Sequence, residues 1–218
     1  MAAVVADHAS FLKEAGFRKR RHGFNRAASD GLVHVVHFWM APKEPPAWTE
    51  VPGLRERRYG SFRLDFGVYV PEMNRSGVPR SSWVNEYNCQ LRQSIGQLLT
   101  GEWTDFWWQL DAPDASEQAG EALRGVGMAW LDRFSNATAI LDEFDRVGPF
   151  GIGTTPAGGL DIADLCRARG DNQRERRVLE GYVADPMPGS HALYLADYLR
   201  RHGHDDLVAS ITARPMSD

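Results

Sequence analysis

The clearest hydrophobic pattern in the chain is strict alternation. Phe62, Leu64, Phe66, Val68 and Val70 are apolar, while Arg63, Asp65 and Tyr69 between them carry polar groups. A period of two puts the first set on one face of a strand and the second set on the other. The pattern predicts a strand over Phe62–Val70, stopped by Pro71. Leu32–Met40 is apolar on both alternating faces, as expected of a central strand covered on each side. His34 and His37 lie within it and need partners if buried. Phe17–Arg26 reads as its hairpin neighbour, joined through Ser29-Asp30-Gly31, a run of turn-forming residues.

Residues 3–14 carry Val5, Ala9 and Leu12 near helical spacing, with Gly16 placed to end the helix. Prolines 42, 45, 46 and 52 make residues 41–58 loop, and Gly77 with Pro79 mark a second loop. Asn88–Leu99 fits a strand through Cys89, Leu91 and Ile95, or a helix through Leu91, Ile95, Leu98 and Leu99. The strand is the preferred reading. Thr104–Asp111 is predicted as a further strand, its aromatic pairs suiting a pleated surface.

The period then becomes helical. Asp114 and Glu117 resemble a capping box, followed by an apolar stripe of Ala119, Leu123, Val126, Trp130 and Phe134. A second helix runs over Thr138–Val147 and stops at Gly148-Pro149. Residues 148–159, GPFGIGTTPAGG, read as a linker. Short helices follow over Ile162–Ala168, Asn172–Ala184, Ser190–His202 and Asp205–Thr212. The fold class expected is α+β. An antiparallel sheet of about five strands with packed helices occupies 1–147, and a small all-helical part occupies 160–218.

Charge changes the picture only in its distribution. The chain has a net charge of −4, yet residues 1–63 hold 11 Lys+Arg against 6 Asp+Glu, and residues 102–218 hold 11 against 20. Hydrophobic content of 43% and charged content of 25% are ordinary for a globular protein. The sequence contains no apolar run long enough to span a bilayer. The N-terminal residues lack the pattern of a signal peptide, so a cytoplasmic location is expected. Cys89 and Cys166 show no metal-binding or redox spacing and are expected to be buried thiols.

Several short pieces occur in an order that resembles a bacterial family, domain of unknown function 4304. They are Leu12-Lys13, Gly16-Phe17-Arg18-Lys19, Phe24-Asn25-Arg26 and Val35-Val36-His37-Phe38, then Phe62 with Phe66-Gly67-Val68-Tyr69, Cys89-Gln90-Leu91-Arg92 with Ile95-Gly96, and Trp107-Trp108. They cover roughly residues 11–111. The chain departs from that pattern at Trp39, where a polar residue is usual, and at Ser94, where a basic one is. The resemblance implies an α+β domain and assigns no activity.

Candidate chemistry is sparse. Arg18-Lys19-Arg20-Arg21, followed by His22, is the most basic run and would suit phosphates. Strand alternation splits it between faces, and no nucleic-acid motif accompanies it. Solvated or interdomain charge, and after it an acidic protein partner, is the better reading. His22, His34, His37 and Asp65 invite a metal reading, but His34 and His37 differ by an odd number and point to opposite faces. No metal or cofactor is expected. The glycine run lacks the phosphate-loop and dinucleotide spacings, and neither a Gly-x-Ser-x-Gly nor an HExxH motif occurs. Trp103, Trp107, Trp108 and Trp130 suit core packing better than a ligand pocket.

Three roles follow. The leading one is a non-catalytic protein-interaction module, immunity- or antitoxin-like. The second is an enzyme or small-ligand binder on the sheet face around His34, His37, Asp65 and Tyr69. The third is a nucleic-acid binder through Arg18–Arg21. The residues carried forward are Arg18, Arg20, His22, His34, His37, Asp65, Tyr69, Arg92 and Trp107, none of them in a catalytic role.

Overall fold

The computed structural model describes residues 1–42, 58–74, 82–154, 158–185, 187–211 and 213–214. Most of the loops expected at 41–58 and around Gly77 and Pro79 therefore lies outside the described residues. The chain forms two compact units, Met1–Thr154 and Thr155–Asp218.

The first unit begins with α1 (Ala2–Asp7) and α2 (Ala9–Glu14), so the single helix expected over 3–14 is broken at His8. Three antiparallel strands follow: β1 (Arg18–Arg20), β2 (Gly23–Ala27) and β3 (Val33–Met40). The strand expected over Phe17–Arg26 is thus two strands. They are joined at Arg21 and His22, where Arg21 takes a φ of 55° with no glycine to advertise the turn. β4 (Ser61–Tyr69) pairs through Phe62–Tyr69 with the whole of β3. β5 (Leu91–Ser94) and β6 (Trp108–Gln109) share the other edge of β4. Among the described residues the result is a six-stranded antiparallel sheet in the order β1-β2-β3-β4-β5, with β6 also on β4.

Two expected strands are corrected. Asn88–Leu99 divides into β5 and α3 (Ile95–Thr100), because the Ser94 hydroxyl accepts from Gln97 N and starts a helix. Thr104–Asp111 contributes only Trp108 and Gln109 to the sheet.

Helices cover one sheet face. α4 (Ala115–Ala122) continues through a π-turn, Leu123–Gly127, into α5 (Met128–Asp132). Gly127 lets this segment lie directly on β4, since a Cβ there would come 2.4 Å from the Phe66 ring. Phe24, Val36, Phe38, Phe62, Leu64, Phe66 and Val68 are buried, and His8 stacks on Phe38 at 5.9 Å. α6 (Ala137–Ile152) begins at Asn136, whose side chain accepts from Ala139 N, and is interrupted at Gly148, where φ is 71°. Pro149–Ile152 then resume the helix, so the segment 148–159 is not loop throughout. The division between units falls inside it.

In the second unit α7 (Gly158–Ala168) and α8 (Asn172–Ala184) form a helical hairpin. β7 (Met187–Pro188), α9 (Gly189–Arg201), α10 (Asp205–Val208) and β8 (Ala213–Arg214) follow, with β7 and β8 paired in parallel. Arg167 joins Asp164 at 2.9 Å and the buried Glu175 at 2.7 Å. Tyr198 donates to Asp164 at 2.6 Å, and His204 approaches Glu175 at 3.0 Å. The architecture is α+β, and none of the described helices is long and apolar enough to cross a membrane.

Candidate functional site

The register assigns each candidate residue to a face. Arg20 faces Gly23, Gly23 faces His37, His37 faces Asp65, and Asp65 faces Ser94. These residues form one transverse row on the sheet face opposite the helices. The neighbouring row contains Arg18, Asn25, Val35, Gly67 and Arg92. Facing pairs on one side of an antiparallel sheet lie within side-chain reach.

Residues 83–89 lie over part of this face. Val84 and Cys89 bury against Val33, Val35 and Tyr69 in a small apolar cluster. Gly67 permits the approach, because any Cβ there would meet the Cys89 sulfur at 2.6 Å. The same segment delivers Glu86, only 4% exposed, to Arg92: Nε and Nη2 donate to its carboxylate at 2.5 and 3.1 Å. This bidentate pair is a strong way to hold a buried carboxylate.

Asp65 is buried nearby. Arg63 Nε and Nη2 donate to its Oδ2 at 3.2 and 3.1 Å, while Oδ1 has no hydrogen-bond partner among the described residues. Burial outweighs the attraction of Arg63 and pushes the carboxyl up to about 6. His37 is half-buried and lowered below its usual value, chiefly by desolvation, with Glu86 opposing and His22 and Arg63 adding to the shift. Its Nδ1 is also without a partner among the described residues.

A groove of about 1040 Å³ opens beside this row. Arg20, Arg21, His22, His37, Trp83 and Glu86 are among its lining residues. Arg18, Lys19, Arg20 and Arg21 are exposed and make no ion pair among the described residues.

Other candidates lie elsewhere. His34 is on the helix-covered face, 2% exposed. Its Nε2 donates to the Phe134 carbonyl at 2.8 Å, and its Nδ1 accepts from Arg26 Nη2 at 2.9 Å. Tyr69 is packed in the apolar cluster, its hydroxyl accepting from Asn74. The sheet-face site expected around His34, His37, Asp65 and Tyr69 is therefore corrected to His37 and Asp65, joined by Glu86, Arg63 and Arg92. Trp107 lies under the Arg63 guanidinium at 4.9 Å and donates to Asp105, which pairs with Arg58 and Arg63. Of the other tryptophans, Trp108 and Trp130 are core residues, packed on Phe62 and Phe134, while Trp103 is 90% exposed.

Sequence reasoning missed Glu86, which lies in a polar stretch with no period to mark it as buried. Arg63 was legible only as an outward residue. Chemically, the face offers cations at its edge and, at its centre, a buried carboxyl whose pKa is raised to about 6. The Cys89 thiol is pushed well above its usual value by burial and is no nucleophile. No group of three or more His, Cys, Asp or Glu suited to a metal occurs among the described residues. No protein-family model, curated protein or solved structure matches the chain, so the family resemblance rests on its motif residues alone.

Proposed function

We propose that the chain is a non-catalytic protein-interaction module whose first unit docks an acidic partner along β1. One contrast carries this reading. Arg26, Arg58, Arg63, Arg92, Arg133 and Arg146 each pair with a carboxylate. Arg18, Lys19, Arg20 and Arg21, consecutive on the outermost strand and its turn, do not among the described residues. Any charge on an edge strand discourages sheet-to-sheet aggregation. Four positive charges in succession also select the sign of what approaches. An immunity- or antitoxin-like role suits such a surface. The test is affinity capture from the source cell with the wild-type chain and an Arg18→Glu/Arg20→Glu variant. An acidic protein held stoichiometrically by the first and lost by the second supports the reading. Equal retention, or no stoichiometric partner, overturns it.

The groove beside β1 favours a second reading, binding of a small polar ligand. Among the described residues its wall carries cations without ion-pair partners, and His37 Nδ1 and Asp65 Oδ1 in the row beside it have no hydrogen-bond partner.

A further inference from the structure

We propose that β1 takes its partner by strand addition: an extended segment with carboxylates on alternate residues pairs with the backbone of Lys19. The inference rests on the protein-interaction reading. The backbone of the sheet edge supplies the first argument. Phe38 N donates to the His22 carbonyl at 3.0 Å, and Gly23 faces His37, so His22 and Phe38 form a hydrogen-bonded pair. Such pairs alternate along an antiparallel ladder, which turns the Phe24 N–H and C=O toward β3. Lys19 faces Phe24 across the β1–β2 ladder, and its own N–H and C=O therefore point away from the sheet. Neither group has a partner among the described residues. Phe17 N donates to the Leu12 carbonyl at 2.9 Å, so the open edge starts after that residue. Exposed strand backbone of this kind is a template for one more strand.

The side chains select which strand. Arg18 and Arg20 belong to the sheet face opposite the helices, while Lys19 belongs to the other, its Nζ over the Phe24 ring at 5.9 Å. Across the ladder from the two arginines stand Asn25 and Gly23, neither of them charged. Two residues of strand span roughly 7 Å, so the guanidinium groups repeat at the spacing of alternate side chains in a partner strand. Opposite charges directly across a strand pair attract. A segment with an acid, a neutral residue and an acid in succession therefore meets both arginines while its backbone stays in register. Arg21, at a φ of 55°, adds a cation just past the end of the strand. There is room for such a segment. The groove of about 1040 Å³ runs along Lys19, Arg20 and Arg21, and the exposed Ala2 and Tyr87 are among its other lining residues.

Calorimetric titration of the full chain with short, end-blocked peptides tests the proposal. The probe alternates Glu with Thr, and an isomer carries the same residues with Glu in adjacent pairs. Two further forms of the probe are N-methylated, one at every Glu and the other at every Thr, with all charges kept. The donors of a strand face opposite edges on alternate residues, so one methylated form should lose about 10-fold in affinity while the other binds as the parent does. The paired isomer should be weaker by about 2- to 5-fold. Arg18→Glu/Arg20→Glu, which alters only exposed side chains, should abolish binding. Hydrogen exchange should slow at the Lys19 amide in the complex by about 10-fold, more than at Arg18 or Arg20, whose amides already face β2. Equal binding of both methylated forms, or no added protection at Lys19, overturns strand addition but keeps an acidic partner. No binding of the alternating peptide also overturns strand addition, and the capture experiment then decides the wider reading by itself. A short single-stranded oligonucleotide bound far more tightly than the probe replaces the peptide with a nucleic acid.

Discussion

A β-carbon on Gly67 would lie 2.6 Å from the Cys89 sulfur, so the segment carrying Glu86 can settle on β4 only because residue 67 has no side chain. Gly67→Ala must push that segment away or bend the strand. The expected cost is about 1–3 kcal/mol, read as a lower urea midpoint. Combined with Cys89→Gly, the loss should be smaller than the sum of the two single changes. Additive losses would mean the close approach has no energetic weight.

Arg92 should matter more to stability than a half-exposed side chain suggests. Its removal leaves Glu86, 4% exposed, as an uncompensated buried carboxylate. Arg92→Ala is expected to cost about 2 kcal/mol or more, and adding Glu86→Gln should recover part of it. A cost within about 0.5 kcal/mol, the range of ordinary surface changes, would refute this.

Asp65 gives the first unit an acid-favoured contribution. Its carboxyl titrates at about 6 in the folded chain against 3.8 for an unperturbed aspartate, so the folded state binds the extra proton between those values. Stability from this residue is present below about pH 4 and lost as pH rises through 6, by about 3 kcal/mol in all. His8, His34 and His37, all lowered, act in the opposite sense, so the diagnostic quantity is a difference. Asp65→Asn should gain on wild type steadily from pH 4 to pH 6.5 in urea unfolding. A constant difference would contradict the buried, weakened acid.

His34 is expected to remain neutral with its proton on Nε2. That nitrogen faces a carbonyl, which can only accept, and Nδ1 faces the Arg26 guanidinium, which can only donate. Burial is the main cause of its lowered pKa, so its contribution is present above pH 6.5 and lost as pH falls below it. Nitrogen NMR of the ring should report the Nε2-H tautomer at neutral pH. His34→Leu should cost about 2 kcal/mol there by leaving the buried Phe134 carbonyl without its donor, while Arg26 keeps Asp132.

The second unit has its own buried charge. Arg167→Met removes the cation beside Glu175, 3% exposed, and should destabilise that unit by about 3 kcal/mol. Hydrogen exchange should show faster opening in α7 and α8.

The fold was legible where burial on one face imposes a period. Phe62–Val70 alternates because one face meets the helices, and the structure keeps β4 to Ser61–Tyr69. The Arg21–His22 turn was not legible, since neither residue is a turn former and the positive φ at Arg21 leaves no mark in composition. Leu91–Leu99 fits two periods, and only the Ser94 cap decides between them. The site was half-legible. Parity separates His34 from His37, but it cannot say which face stays open. Glu86 reaches Arg92 by a tertiary approach that Gly67 permits, and neither residue predicts the other locally.

The two outer edges of the sheet have different fates. At β5 the Arg92 N–H is already taken by the Gly153 carbonyl at 2.8 Å, so the chain caps that side with its own backbone. β1 ends the other side of the strand order. Among the described residues, strand addition is therefore left to the β1 side. A second copy approaching along β1 would bring Arg18–Arg21 of both chains together, so like-charge repulsion bars the chain from pairing with itself while leaving the edge open to a strand of opposite charge.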